Sequence, residues 1–164
     1  VPLAMFLKIK DDELASSAIA EARLTHFHPL AGDVSAAVVR LCRALIRGQE
    51  WSEALHFASI QRLPETCEAL NPRIRFDSEP NGFAPNVLAA AIRFVDQARN
   101  FRTALSNSIS VDPGTNYVPV LVGSIGGARW GRSAIPSQTL KHHSDLIPKI
   151  ESSYHALSVY ASID

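Results

Sequence analysis

At 164 residues and 46% hydrophobic, the chain carries enough apolar side chains for one ordinary core and too few for two. Lys plus Arg and Asp plus Glu balance at 16 each, so no long-range field draws nucleic acid or an anionic membrane to the surface, and neither is expected as a partner. The longest apolar stretch, Val118 to Ile125, is too short for a membrane span.

Cys42 and Cys67 form no CxxC pair and read as reduced structural thiols in a cytoplasmic protein, a disulfide between them being the alternative. The amino end, Val1-Pro2-Leu3-Ala4-Met5-Phe6, is apolar from its first residue and lacks an initiator Met, so we expect a chain cut from something longer. Asp11 and Asp12 cap a first helix whose Leu14, Ala18, Ile19 and Ala22 share a face and which ends near Leu24. Asp33 is placed to cap the next, where Val34, Ala37, Val38, Leu41, Cys42 and Leu45 form a wide apolar stripe and Gly48 is the stop. Trp51, Leu55 and Ala58 suggest a short third helix. Pro64, Pro72, Pro80 and Pro85 then break the chain into a loop-rich stretch from about Arg62 to Pro85.

Pro85 suits the first turn of a fourth helix with Val87, Leu88, Ala91, Ile92 and Val95 inward, and Phe101, Ala104, Leu105 and Ile109 continue in a fifth. Val118, Val120, Leu121, Val122 and Ile125 come next, apolar on every side, with Gly123, Gly126, Gly127 and Ala128 to admit neighbouring backbones closely. The β-branched residues allow a strand, but a buried central helix suits this helical chain better. Ser144 to Ser162 makes a final amphipathic helix with Ile147, Ile150, Tyr154, Leu157 and Ala161 on its stripe. The expectation is one all-α domain over residues 1–164, a multi-helix orthogonal bundle.

Two stretches carry a resemblance. "ARLTHFHPLAGDVSAAVVRLCRALIRG", from Ala22 to Gly48, is similar to the Thr-His segment and Ala-rich helix of the ADP-ribosylglycohydrolase family. "NGFAPNVLAAAIRFVDQARNFRTALSNSISVDPGTNYVPVLVGSIGGARWGRSAIP", from Asn81 to Pro136, resembles that family's closing region in the order of its loops and helices, and "VPLAM" resembles the segment that opens its second half. The resemblance implies an all-α fold around a cleft where two Mg²⁺ ions hold the ribose hydroxyls and assist cleavage at the anomeric carbon. It implies that one ligand set, a Thr-Asp-Asp cluster, belongs to a first half with no counterpart here. The second set reads Gly-Gly-Asp-x-Asp-Thr in the family. Aligned back from "VGSIGGARWG", it places Asp112 and Pro113 on the glycines, Gly114 and Asn116 on the aspartates and Tyr117 on the threonine.

Mg²⁺ is held through hard oxygen donors, chiefly carboxylates. Gly114 offers no side chain and Asn116 only a neutral carbonyl, so Mg²⁺ is expected only if this loop, with Asp112 as its one weak candidate ligand, or a missing half supplies donors. From the residues alone, Asp112-Pro113-Gly114-Thr115 is a β-turn entering a helix. His26 and His28 lack further ligands at zinc spacing. The resemblance puts His26 in the ADP-ribose cleft and matches Asn81-Gly82-Phe83 to the loop flanking the nucleotide; the plainer readings are a helix-end histidine and a turn with an anchored Phe. Trp130 reads as core, Arg129 and Arg132 as solvated, and His142-His143 as polar loop.

These readings combine into an expectation: a family member with no catalytic residues of its own, which binds an ADP-ribose-like molecule, an ADP-ribosylated protein or a protein partner through the family cleft. The ligand-binding residues are then His26, Asn81, Gly82, Phe83, Gly114, Thr115 and Asn116. The alternatives are the second half of an active Mg-dependent hydrolase completed by other residues, and a helical subunit without ligand. If half a helical core is absent, the stripes of Val38, Leu41, Ile92 and Val122 should be incompletely covered, and self-association or a companion chain should cover them.

Overall fold

Ala, Val and Leu recur at three- and four-residue spacing between Pro29 and Ile46, and that stretch forms the central helix of the computed structural model, which describes residues 2–6, 8–74, 82–111 and 117–162. The helices in chain order are α1 (Pro2–Met5), α2 (Asp11–Ala22), α3 (Pro29–Ile46), α4 (Trp51–Ser59), α5 (Pro64–Ala69), α6 (Ala84–Gln97), α7 (Phe101–Val111), α8 (Tyr117–Trp130), α9 (Ser137–His142) and α10 (Ile147–Ser162). Among the described residues there is no strand, and the all-α expectation holds. Among the described residues no helix is long and apolar enough to cross a membrane.

Fourteen of the eighteen residues of α3 are buried, because α2, α4, α6 and α8 all pack on it. Val38, Leu41, Ile92 and Val122 are therefore covered from within the chain, and the expectation that these stripes stand bare is corrected. At its carboxyl end, Gly48 takes a φ of 81° and donates to Leu45 O, while Gln49 donates to Ala44 O. This is the Schellman cap that the glycine announces.

Four helix starts differ from expectation: α2 takes Lys10 as its N-cap, with Asp11 and Asp12 inside its first turn where their charge suits the helix dipole, and α10 begins at Ile147, not Ser144. α3 begins four residues before Asp33: Pro29 has the φ a first turn requires, and His28 Nδ1 accepts from Leu30 N at 3.3 Å. Asp33 is instead a tertiary acceptor, taking Leu63 N at 2.9 Å and Arg62 Nη1 at 3.0 Å. Pro64, read as a breaker, opens α5 for the same reason as Pro29, so the loop-rich stretch contains a helix.

α8 is helical as expected but not buried all round. Val118, Val122, Ile125 and Gly126 face α3, α6 and α7, whereas Val120 is 62% exposed. Only Gly126 serves a close approach: a Cβ there would lie 3.3 Å from the Phe101 ring, while at Gly123 and Gly127 it would meet nothing within 4 Å. The stripe on α10 points outward too, with Ile150 and Tyr154 exposed. Leu157 and Ala161 lie outside the described side chains.

Arg43 ties the amino-terminal segment to α3. Its Nε donates to Ala4 O, Nη1 to Ile9 O and Asp11 Oδ1, and Nη2 to Leu3 O and Phe6 O, all within 3.2 Å. The carbonyls it collects include those that the short α1 leaves open at its end. Burial pushes the Asp11 carboxyl up, but hydrogen bonds and charge from Arg47 and Arg43 outweigh this and hold it below the ordinary value.

Candidate functional site

Contacts at both ends fix the relative direction of α6 and α8. At one end, a Cβ on Gly82, just before α6, would lie 3.7 Å from the ring of Tyr117, the first residue of α8. At the other end, Arg129 of α8 donates to Val95 O of α6 at 2.7 Å. Its guanidinium lies 4.6 Å from the ring centroid of Trp51 and 5.0 Å from that of Trp130, and Trp51 Nε1 donates to Asp96 of α6 at 2.8 Å. Trp51 follows α3 through its cap. α6 and α8 thus run the same way, with their amino ends together, and the start of α4 just after α3 meets their carboxyl ends at Arg129. Arg129 is half-buried and bound to a helix-end carbonyl, which corrects its reading as a solvated side chain. Burial lowers its pKa, opposed by Asp96 and Glu50. Arg132 is exposed and pairs with Glu151 at 2.6 Å.

Of the predicted binding residues, Gly82 and Phe83 lie at that shared amino end. His26 precedes α3 in an exposed loop, sharing a 2.8 Å hydrogen bond between Nδ1 and Thr25 Oγ1 while its backbone N–H donates to Ala22 O. Its neighbour Phe27 is 85% exposed. Gly82 takes a φ of 76°, a left-handed conformation that a side chain would strain, and Phe83 comes after it as the exposed N-cap residue of α6. Asn81, Asp112, Gly114, Thr115 and Asn116 lie outside the described residues. The chain positions of the last four nevertheless lead straight into Tyr117, whose ring touches Gly82.

The electrostatics of this end arise from the backbone. No residue in the first turn of α3, α6 or α8 is acidic. The N-cap residue of α6, Phe83, makes no side-chain cap hydrogen bond, and Pro85 follows in its first turn. The dipoles of α6 and α8 therefore present their positive ends side by side without a carboxylate in those turns to offset them, an arrangement that favours an anion. The same reasoning disfavours a dication. Among the described residues, no group of three His, Cys, Asp or Glu side chains is placed to hold a metal.

The sequence reading missed Tyr117 as a packing partner of Gly82, and it passed over Arg40 and Arg43. The available signal was their position: charged residues inside an otherwise apolar helix stripe are not on a solvated face.

A sequence model of the ADP-ribosylglycohydrolase family matches residues 1–161. A solved structure described as an ADP-ribosylglycohydrolase-related protein complex superposes with a TM-score of 0.82 at 24% identity, over 97% of this chain and 57% of that one. At that identity the likeness speaks for the fold, and this chain spans little more than half the length of that relative. No curated protein matches. With the family model covering almost every residue and the helices in the matching arrangement, the chain belongs to the ADP-ribosylglycohydrolase family.

Proposed function

We propose that the chain binds an ADP-ribose-like ligand, free or attached to a protein, at the shared amino end of α6 and α8, and that it does not hydrolyse it as it stands. The observation that supports this reading is the proximity of Gly82 to the Tyr117 ring, since it sets the starts of α6 and α8 side by side as helix ends that favour a diphosphate. Phe83 and Tyr117 are exposed there, and an aromatic face packs on a base. The donor set does not fit Mg²⁺: Gly114 and Asn116 stand where the resemblance requires carboxylates, so no hydrolytic step is assigned to the chain. Free thiols at Cys42 and Cys67 support a cytosolic setting.

Calorimetry with ADP-ribose, with and without Mg²⁺, tests this. Binding that is independent of Mg²⁺ is expected, with no turnover of ADP-ribosylated arginine or serine. Stoichiometric metal uptake or hydrolysis overturns it. A second reading has its own observation. Leu24 and Phe27 are 79% and 85% exposed in the segment between α2 and α3, and the related solved chain is longer. A companion chain or second copy resting on them completes the cleft in that case. Light scattering distinguishes the two, since a monomer that binds ADP-ribose excludes the companion.

A further inference from the structure

No charged residue occurs from Tyr117 to Ala128, so α8 has the composition of a helix enclosed on every side. One side is nevertheless bare. Val118, Val122 and Ile125 are buried, while the opposite side carries Val120, Gly123, Ser124 and Gly127 at three- and four-residue spacing. Val120 is mostly exposed, and a Cβ on Gly123 or Gly127 would meet nothing within 4 Å. Ser124 Oγ donates to Val120 O at 3.0 Å, so this small-residue floor needs no polar partner.

α10 shows the converse. Ile150 and Tyr154 on its apolar stripe are 62% and 52% exposed, and Lys149, Glu151 and His155 fall to either side of that stripe. Beyond Gly131, which takes a φ of 74°, the short 3-10 turn Arg132–Ala134 packs on α8, whereas α9 and α10 have no comparable neighbour among the described residues. Arg132 pairs with Glu151 at 2.6 Å and so ties an early turn of α10 to the segment leaving α8, with the stripe still uncovered. One chain therefore presents a face floored with glycine and a stripe of large side chains on helices of 14 and 16 residues, and does not bring the two together.

We propose that the chain forms a two-fold dimer in which α10 of each copy lies on the open face of the other copy's α8, with Ile150 and Tyr154 against the floor of Gly123 and Gly127. Large side chains opposite glycines interdigitate, and the missing Cβ atoms let the two helix backbones approach closely. The two surfaces differ, so a single contact would leave one of each bare and add copies without end, whereas the reciprocal arrangement closes on itself. Each helix hides about a third of its girth over about 21 Å, which for two contacts comes to roughly 1,000 Å² in all, the lower bound of a specific interface. The dimer is therefore reversible. Its surfaces are separate from Leu24 and Phe27, and it stands whether or not ADP-ribose binds.

Sedimentation velocity on the full chain over a concentration series should show a monomer–dimer equilibrium. Gly127→Gln fills open space at a helical glycine, so the monomer should keep its Tm or gain. Each of the two contacts then loses about tenfold to overpacking, and the dimer dissociation constant should rise about a hundredfold. Ile150→Glu, at an exposed position, should disperse the dimer equally without unfolding the chain. In a Cys67→Ser background, an oxidised mixture of Gly127→Cys and Ile150→Cys chains should give a disulfide-linked dimer that neither chain gives alone. A monomer at every concentration overturns the proposal, as does a dimer that survives Gly127→Gln, a cross-link formed by Ile150→Cys chains alone, or a dimer dispersed only by Leu24→Ser or Phe27→Ser.

Discussion

Replacing Arg43 by Met removes five hydrogen bonds and one charge from a side chain that is 1% exposed, while filling most of its volume. A sum at about 1.5–3 kcal/mol per charged hydrogen bond exceeds what one site can lose, because the freed carbonyls of Leu3, Ala4, Phe6 and Ile9 can reach water if residues 2–10 peel away. The bound is the cost of breaking a buried ionic cluster, about 3–5 kcal/mol, and peeling lowers it towards the smaller figure. For a chain of this length each kcal/mol moves Tm by about 2–4 °C, so a drop of roughly 6–20 °C is expected in calorimetry. Hydrogen exchange should show lost protection at Phe6, Ile9 and Glu13, whose amides bond within this segment, before any loss in α3. A Tm within about 2 °C of the native value, with that protection intact, refutes the reasoning. Arg40→Met is the internal control, since the same chemical change at a site with one hydrogen bond should leave Tm unchanged or raised.

The depressed pKa of Asp11 makes a pH prediction. Its ion pairs with Arg43 and Arg47 stabilise the chain fully above the unfolded value of 3.8, and this contribution disappears as pH falls through the lower folded value. Denaturant midpoints measured downward from pH 5 should fall below about pH 3.8 in the native chain, and Asp11→Asn should flatten that part of the profile. Burial pushes the Cys42 thiol up to about 12, so near pH 8 a thiol reagent should leave it untouched in the folded chain, while half-buried Cys67 reacts. Two equally fast thiols before denaturant is added would contradict the burial of α3.

Much of the architecture was legible because it rests on local chemistry. The stripe from Val34 to Leu45, the stop at Gly48, and the helices around Pro85 and Phe101 come from periodicity and caps that the chain carries within a few residues. The misreadings share a cause. Pro64 is a breaker or a starter depending on whether the residues after it can go helical, and Asp33 is a cap or a tertiary acceptor depending on whether Leu63 and Arg62 come near. Which face of α8 stays open depends on where α6 and α7 lie, and Val120 is no less apolar for being exposed. The candidate site was legible as motifs in Gly82 and Phe83 but not as a place. The pairing of Arg129 with Val95 and of Gly82 with Tyr117, distant in sequence, aligns α6 and α8 and gives that place. Arg40 escaped notice because periodicity counts a charged residue in an apolar stripe as an interruption.

Both tryptophans of the chain flank the Arg129 guanidinium, at the end of α6 and α8 opposite Gly82. Intrinsic fluorescence is therefore an indicator lodged far from where a nucleotide would sit. A ligand that only settles onto the helix starts leaves the emission silent, whereas one that slides α8 along α6 loosens the stacked indoles and registers at once.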